Sequence, residues 1–278
     1  MHPPLRNTPR IRAKKIKEQV LTAAAGRITQ TLLPDPTRFV TFTRGRTGSN
    51  LLASLLASHP QVRQHRELFG EFALSHGFIL DEIRSLGPQR YFRRSTQRML
   101  LERAVGVKFL YHHLSRAYAR RWDVPDLPSL LSAIKEDRSI RIIHLKRRNL
   151  LKTLVSWKMA AATGEWESQT GPSSGNTKPQ TITLTGEECL AEFRRTERLE
   201  RHFDKIFVNH PFAEVAYEDL IENKTGESAR VLDFLSLQHV DLQTPLKKQN
   251  TRSLHDTISN FRQLRDTFAG SPYASFFA

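Results

Sequence analysis

The chain has 278 residues, of which 38% are hydrophobic and 26% are charged, which is ordinary for a globular protein. It contains 16 Phe, 3 Trp and 5 Tyr, enough aromatic residues for a sizeable core, so disorder of the whole chain is excluded. Its 43 Lys and Arg against 28 Asp and Glu leave a net charge of +15. Such an excess predicts an anionic partner, namely a nucleic acid, an anionic membrane or a small polyanion.

Three further properties narrow the class of protein. No stretch approaches the roughly 18 to 20 apolar residues of a membrane span. The single Cys189 cannot form an internal disulfide, and no Cys/His cluster has zinc spacing. The N-terminus is basic but lacks the apolar core of a secretory signal. We therefore expect a cytoplasmic location and no zinc site of this kind.

Residues 1–36 are expected to form a basic arm with one amphipathic helix, and residues 37–278 to form one domain in which strands and helices alternate. Strands are predicted over 38–43, 61–69, 106–114, 139–145 and 212–217, and helices over 50–58, 84–104, 149–162, 187–204 and 225–235. The alternation predicts an α/β fold with a P-loop-like central parallel sheet flanked by helices. Ligands of such sheets bind beyond the carboxyl ends of the strands.

The loop after the first predicted strand is suited to binding an anion. Gly45 and Gly48 let backbone N–H groups turn inward, and the following helix N-terminus adds unpaired N–H groups. The side chains of this loop that can donate or position hydrogen bonds are Arg44, Arg46, Thr47, Ser49 and Asn50. An ordinary glycine-containing loop with solvated arginines is the alternative. Because no Lys follows Gly48, the nucleotide-kinase motif is incomplete and ATP hydrolysis is disfavoured.

A second basic segment lies at the end of the fourth predicted strand. Arg148 ends the strand, and Ser156 follows eight residues later, about two turns into the next helix. The two side chains can converge on one phosphate if the helix folds back beside the strand, and the planar fork of Arg suits phosphate. A solvated basic helix start is the alternative.

The two segments together resemble the PAPS-dependent sulfotransferase family. Residues 46–50 (RTGSN) resemble its 5′-phosphosulfate loop, in the form found in the bacterial branch that includes trehalose sulfotransferases. Its 3′-phosphate motif is matched by Arg148-Asn149 with Ser156. AYEDLI at 216–221 is similar to a late strand and turn of the family. The basic tail from Leu246, expected to be irregular, resembles a segment that closes over the nucleotide and includes Lys248.

The resemblance implies PAPS as the sulfuryl donor, PAP as the product, no metal, and a small-molecule or glycan acceptor. Arg46 would stabilise the leaving group, while Ser49 and Asn50 would hold the phosphate. Two candidates for the general base remain open. Glu67 stands where bacterial relatives have a catalytic Glu, and His113, beside His112, resembles the cytosolic branch. A surface Glu and a core His are the alternatives.

The segment 164–186 is rich in Gly, Ser, Thr and Pro. It is expected to be a lid loop over the acceptor. A basic nucleic-acid-binding protein is the alternative function, but no RNP pattern, zinc finger or helix-turn-helix supports it, so no nucleic-acid partner is expected. The basic N-terminus is suited to peripheral contact with a membrane. Neither the acceptor nor the oligomeric state follows from the sequence.

Overall fold

A computed structural model describes residues 34–164, 181–246 and 252–278. Its centre is a five-stranded sheet in which every pairing is parallel and the spatial order is β2-β3-β1-β4-β5. The strands are β1 (Thr37–Thr43), β2 (Val62–His65), β3 (Ala104–Leu110), β4 (Arg141–Lys146) and β5 (Phe212–Ala216). The predicted α/β fold with a parallel central sheet is therefore confirmed.

Helices cover both faces of the sheet. They are α1 (Ser49–Ala57), α2 (Glu71–Leu74), α3 (Gly77–Leu86), α4 (Pro88–Ser95), α5 (Arg116–Trp122), α6 (Ser129–Glu136), α7 (Leu150–Thr163), α8 (Gly186–Ile206), α9 (Tyr217–Glu222), α10 (Lys224–Phe234), α11 (Leu254–Thr257) and α12 (Phe261–Phe268). Short 3₁₀ turns span Tyr111–Leu114 and Ala274–Phe277.

The strands are apolar on both faces because each face carries its own core. Phe42 of β1 packs with Phe109 and Phe203 on one side of the sheet, while Phe39 of the same strand packs with Leu52 and Val231 on the other. Successive strand residues point to opposite faces, so a doubly covered strand reads as a continuous apolar run. The faces are closed, which leaves the carboxyl edge of the sheet for a ligand.

The predicted helix over 84–104 is wrong. Gly87, with φ of 75°, separates α3 from α4, and Pro88 opens α4 where its missing N–H costs nothing. After α4 the chain turns, because the Glu102 carboxylate accepts hydrogen bonds from the backbone N–H groups of Met99 and Leu100 at 3.0 and 2.6 Å. Ala104 already belongs to β3.

Two other expectations need correction. The third strand ends at Leu110, where the backbone N–H contacts His113 Nδ1 at 3.3 Å and the chain enters a 3₁₀ turn. The tail is not irregular over residues 252–278, since it forms two short helices and a 3₁₀ turn. Phe268 and Phe277 of these elements pack in one core with Phe193 of α8. The predicted N-terminal helix, most of the lid loop and Lys248 lie outside the described residues.

Within the described part of the chain, no helix has the length and apolar character that crossing a membrane requires.

We expect the protein to lose stability as the pH falls from 6.5 to 4, partly because of His65. Burial lowers the pKa of this histidine to about 4, and its Nε2 contacts the Ser95 carbonyl oxygen at 2.8 Å. The unfolded chain, with an ordinary histidine pKa of about 6.5, takes up the proton first, so at pH 5 folding loses up to about 2 kcal/mol. Urea titrations at pH 7 and pH 5 should show a smaller difference for His65→Gln than for the wild type. An equal difference would contradict this assignment.

Candidate active site

The loop between β1 and α1 is fixed to the neighbouring strand at the carboxyl edge of the sheet. Thr43, the last residue of β1, donates a hydrogen bond from Oγ1 to the carbonyl oxygen of Leu145 in β4 at 2.7 Å. Its hydroxyl also lies 2.5 Å from that of Thr47. All three residues are buried. The loop therefore starts from a rigid position beside the end of β4.

Gly48 makes a tight turn possible before α1. Its φ is 81°, and a Cβ at this position would lie 2.3 Å from Cδ2 of the Tyr217 ring. Glycine is thus required twice, for its backbone conformation and for the close approach of the ring. Gly48 is also the N-cap of α1, so no side chain caps the first turn of that helix. An uncapped helix N-terminus at a glycine turn is suited to an anion.

Arg46 connects the two basic segments that the sequence singled out. Its Nε donates a hydrogen bond to Ser156 Oγ on α7 at 2.9 Å, and its carbonyl oxygen accepts one from Nη1 of Arg147 at 3.1 Å. The backbone of Arg46 has φ of 70°, a conformation that non-glycine residues seldom adopt. The structure therefore brings the loop after β1 and the segment after β4 into direct contact.

Arg148 has a different environment from Ser156. Its guanidinium is exposed and forms a two-bond ion pair with Asp219, in which both N–O distances are 2.5 Å. The backbone N–H groups of Arg148 and Asn149 donate to the Glu218 carboxylate at 3.0 and 3.3 Å. The hydrogen bond to Ser156 comes from Arg46, not from Arg148.

Glu67 follows β2, on the other side of β1 from β4, and it belongs to a small polar cluster. Its Oε1 is 2.8 Å from Nζ of Lys108, and the same ammonium group also donates to the side-chain oxygen of Asn50. Lys108 is 2% exposed and the Glu67 side chain is 30% exposed, so only the carboxylate is open to a ligand. Gly70 leaves room for it, because a Cβ there would lie 2.5 Å from Glu67 Oε2. The predicted base thus contacts the predicted phosphate-binding loop through Lys108.

The two histidines differ in burial. His113 is buried, and burial lowers its pKa well below the usual value, so the ring is neutral at pH 7. Its Nδ1 faces the N–H of Leu110, which places the proton on Nε2, and Nε2 lies 3.7 Å from Glu67 Oε2. His112 is more exposed, and partial burial lowers its pKa as well. Both histidines therefore stand in the 3₁₀ turn and not in the strand that the sequence predicted, and His113 is the one whose ring nitrogen lies next to Glu67.

Arg44 and Gly45 lie at the start of the same loop. The Arg44 guanidinium points to α8, where Nη2 lies 2.5 Å from Oε1 of Glu192, and burial lowers its pKa. Arg46, in contrast, contacts α7. A Cβ at Gly45 would meet only Cδ1 of Leu110, at 3.9 Å. The two glycines of the loop are therefore not equivalent, since only Gly48 is required by its surroundings.

Comparison with known proteins identifies the family of the chain. The model of the family described as "Sulfotransferase family" matches residues 43–241, more than half of the chain. The chain belongs to the sulfotransferase family. Membership of an enzyme family favours the sulfotransferase function over the alternative, a basic nucleic-acid-binding protein.

The relatives of this sulfotransferase include two nodulation proteins H. That of Rhizobium tropici is 28% identical over 260 residues, covering 88% of this chain and 94% of the relative. That of Rhizobium meliloti (strain 1021) is 28% identical over 254 residues, covering 89% and 96%. Among solved structures, the sulfotransferase domain from the curacin biosynthetic pathway is 14% identical, covers 82% of this chain and 86% of that one, and has a TM-score of 0.44.

Arg147 contacts the loop after β1 and was not among the site residues predicted from the sequence. Its guanidinium stacks on the Tyr217 ring at 4.7 Å from the centroid, and burial lowers its pKa. Within the described ranges, its buried Nε has no hydrogen-bond partner. Strand alternation could have found it, because Ile143 and Leu145 point to the same face of β4.

No three His, Cys, Asp or Glu side chains of the described residues are grouped as a metal site would require.

We expect Gly48→Ala to weaken PAP binding at least about tenfold, while Gly45→Ala leaves it nearly unchanged. The first change forces a Cβ into the Tyr217 ring at positive φ, and strain of this kind costs about 1–3 kcal/mol. The second places a Cβ in ordinary van der Waals contact with Leu110 Cδ1, at 3.9 Å. Calorimetric titration of both variants with PAP tests the pair. Similar affinities for the two variants would contradict the role given to Gly48.

Proposed function

We propose that the protein moves the sulfuryl group of PAPS to a hydroxyl or amine of a carbohydrate, lipid or small-molecule acceptor by in-line displacement. Sulfotransferase activity and its donor follow from membership of the family. The acceptor class and the roles of individual residues are the proposal. The observation that supports it most is the hydrogen bond between Arg46 and Ser156, because it joins the segments assigned to the two anionic ends of the donor.

The donor has a 5′-phosphosulfate and a 3′-phosphate, so two anion sites are needed. The phosphosulfate is proposed to bind at Gly48, at the first turn of α1 and at Arg46. The close resemblance of RTGSNLL to the bacterial branch of the family supports this assignment. Arg148 and Ser156 suit the 3′-phosphate. Lys248 is proposed as a further contact, outside the described residues.

In the reaction, a lone pair of the acceptor oxygen or nitrogen forms a bond to sulfur as the bond from sulfur to the bridging phosphate oxygen breaks. The electron pair of that bond stays on the bridging oxygen, and PAP leaves. Negative charge therefore grows on the leaving group, where the Arg46 guanidinium stabilises it. Catalysis of this kind relies on positioning and on charge, as phosphoryl transfer does.

The proton of the acceptor goes to Glu67 in this proposal. Its carboxylate is partly open to solvent, and Lys108 and Gly70 fix its position beside the phosphate-binding loop. His113 is the weaker candidate, because it is buried and its Nε2 carries a proton on the side that faces Glu67. A neutral imidazole of lowered pKa is also a poor proton acceptor. His113 then helps to orient the carboxylate.

We expect Glu67→Gln to lower kcat by about 100-fold or more, the usual scale for removing a general base, with little change in PAP affinity. Glutamine keeps the size but cannot take the proton. Turnover of labelled PAPS with a hydroxyl acceptor, found by a mass-spectrometric screen, is the measurement. Glu71→Gln is the control, since Glu71 lies four residues later, at the start of α2, and is paired with the exposed Arg121. Near-normal turnover of Glu67→Gln, together with an inactive but folded His113→Ala, would make the histidine the base.

We expect Arg148→Ala to weaken PAP binding by about 2 kcal/mol, or roughly 30-fold, because a charge-assisted contact to the 3′-phosphate is lost. Arg138→Ala, at the opposite end of β4, should have little effect since that residue is exposed at the far edge of the sheet. Isothermal calorimetry with PAP distinguishes the two. Unchanged PAP affinity in Arg148→Ala would remove this residue from the 3′-phosphate site.

A further inference from the structure

Two consecutive carboxylates in the first turn of α9 contact the groups proposed for the 3′-phosphate. Glu218 accepts hydrogen bonds from the backbone N–H groups of Arg148 and Asn149 at 3.0 and 3.3 Å. Asp219 accepts two from the Arg148 guanidinium, both at 2.5 Å. Carboxylate oxygens of this chain therefore make contacts that a phosphate would also make.

Glu218 restricts where the 3′-phosphate can bind. The backbone N–H groups ahead of α7 would otherwise attract an anion, and they already have a carboxylate partner. Of the groups assigned to the 3′-phosphate, the side chains of Arg148 and Ser156 are then the ones that the phosphate would contact. The affinity of the 3′ end thus depends on how readily the Arg148 guanidinium leaves its present partner.

Asp219 engages the part of Arg148 that phosphate needs. Both terminal nitrogens of the guanidinium are used, and such a two-bond geometry is the one that Arg also forms with phosphate. The two side chains are 62% and 37% exposed, and exposed ion pairs contribute little to stability, so a phosphate with up to two negative charges can displace the carboxylate. The hydrogen bonds from Arg148 lower the pKa of Asp219, as expected for a charged carboxylate paired with a guanidinium.

We propose that Asp219 competes with the 3′-phosphate for Arg148 and thereby sets how tightly the protein holds 3′-phosphorylated nucleotides. The inference rests on the proposed function, in which Arg148 contacts the 3′-phosphate. Binding exchanges one ion pair for another, and release of PAP lets Asp219 return to Arg148. A nucleotide without a 3′-phosphate does not need this exchange, so its affinity is independent of Asp219.

The test is Asp219→Asn, which keeps the shape but weakens the competition. We expect PAP to bind about three- to tenfold more tightly and to dissociate more slowly, with the affinity for 5′-AMP unchanged. Calorimetry gives the affinities, and stopped-flow displacement gives the dissociation rate. Glu222→Gln is the matched control, because it removes one exposed negative charge from the same helix and should change neither affinity. Asp219→Ser should behave like Asp219→Asn, and circular dichroism checks that both are folded.

A double variant separates specific competition from general repulsion. In the Arg148→Ala background, Asp219→Asn should no longer strengthen PAP binding, because the contested guanidinium is gone. An equal gain in that background, an equal gain for 5′-AMP, or weaker PAP binding by the single variant would each overturn the inference. If Arg148→Ala itself leaves PAP affinity unchanged, the proposed phosphate site fails along with the inference. If Arg148→Ala weakens binding but Asp219→Asn does not strengthen it, the inference alone fails.

Discussion

The hydrogen bond from Arg46 to Ser156 is the interaction on which the rest of the site depends. It exists because β1 and β4 are adjacent parallel strands, so that the loop after one and the helix after the other leave the same edge of the sheet side by side. Thr43 fixes the base of this arrangement by its bond to Leu145. The Tyr217 ring packs over Gly48 and against the Arg147 guanidinium. A buried sheet thus presents two basic segments side by side and in direct contact.

Carboxylates accompany the cations at this edge. Arg44 is paired with Glu192, Lys108 with Glu67, and Arg148 with Asp219. The pairs differ in burial, and this difference separates their roles. Lys108 is buried, so leaving its partner would expose an uncompensated charge to a low-dielectric interior. The pair formed by Arg148 and Asp219 is exposed and can exchange partners with a phosphate at small cost. The same kind of contact therefore fixes one group and leaves another available.

The sequence was sufficient for the elements that fill the core and for the loops that follow them. Apolar strands such as β1 are recognisable because both of their faces are buried, and parallel topology then places residues 44–50 and 146–156 at one edge. The short helices α5 and α6 were missed because tertiary packing decides such short elements, and periodicity does not report packing. The break at Gly87-Pro88 inside the helix expected over 84–104 is different, because a glycine followed by a proline is a turn signal that the sequence already carried.

Within the candidate site, sequence reasoning singled out residues at one edge of the sheet but not which of them are in contact. Arg46 and Ser156 were assigned to different anion sites, yet they contact each other directly. The partners of Arg148 and the stacking of Arg147 on Tyr217 depend on α9, whose position after β5 is set by the fold. The roles of Glu67, His112 and His113 remain predictions, with the geometry favouring Glu67.

The central claim is that this edge of the sheet holds two separate anion sites for one nucleotide. Comparing the affinities of PAP, 5′-AMP and adenosine 3′-monophosphate for the wild-type protein tests it most directly. Two sites predict that PAP binds at least about 30-fold more tightly than either monophosphate, since each monophosphate lacks one charge-assisted set of contacts. Equal affinity for PAP and one of the monophosphates would mean that only one anion site exists and would contradict the account.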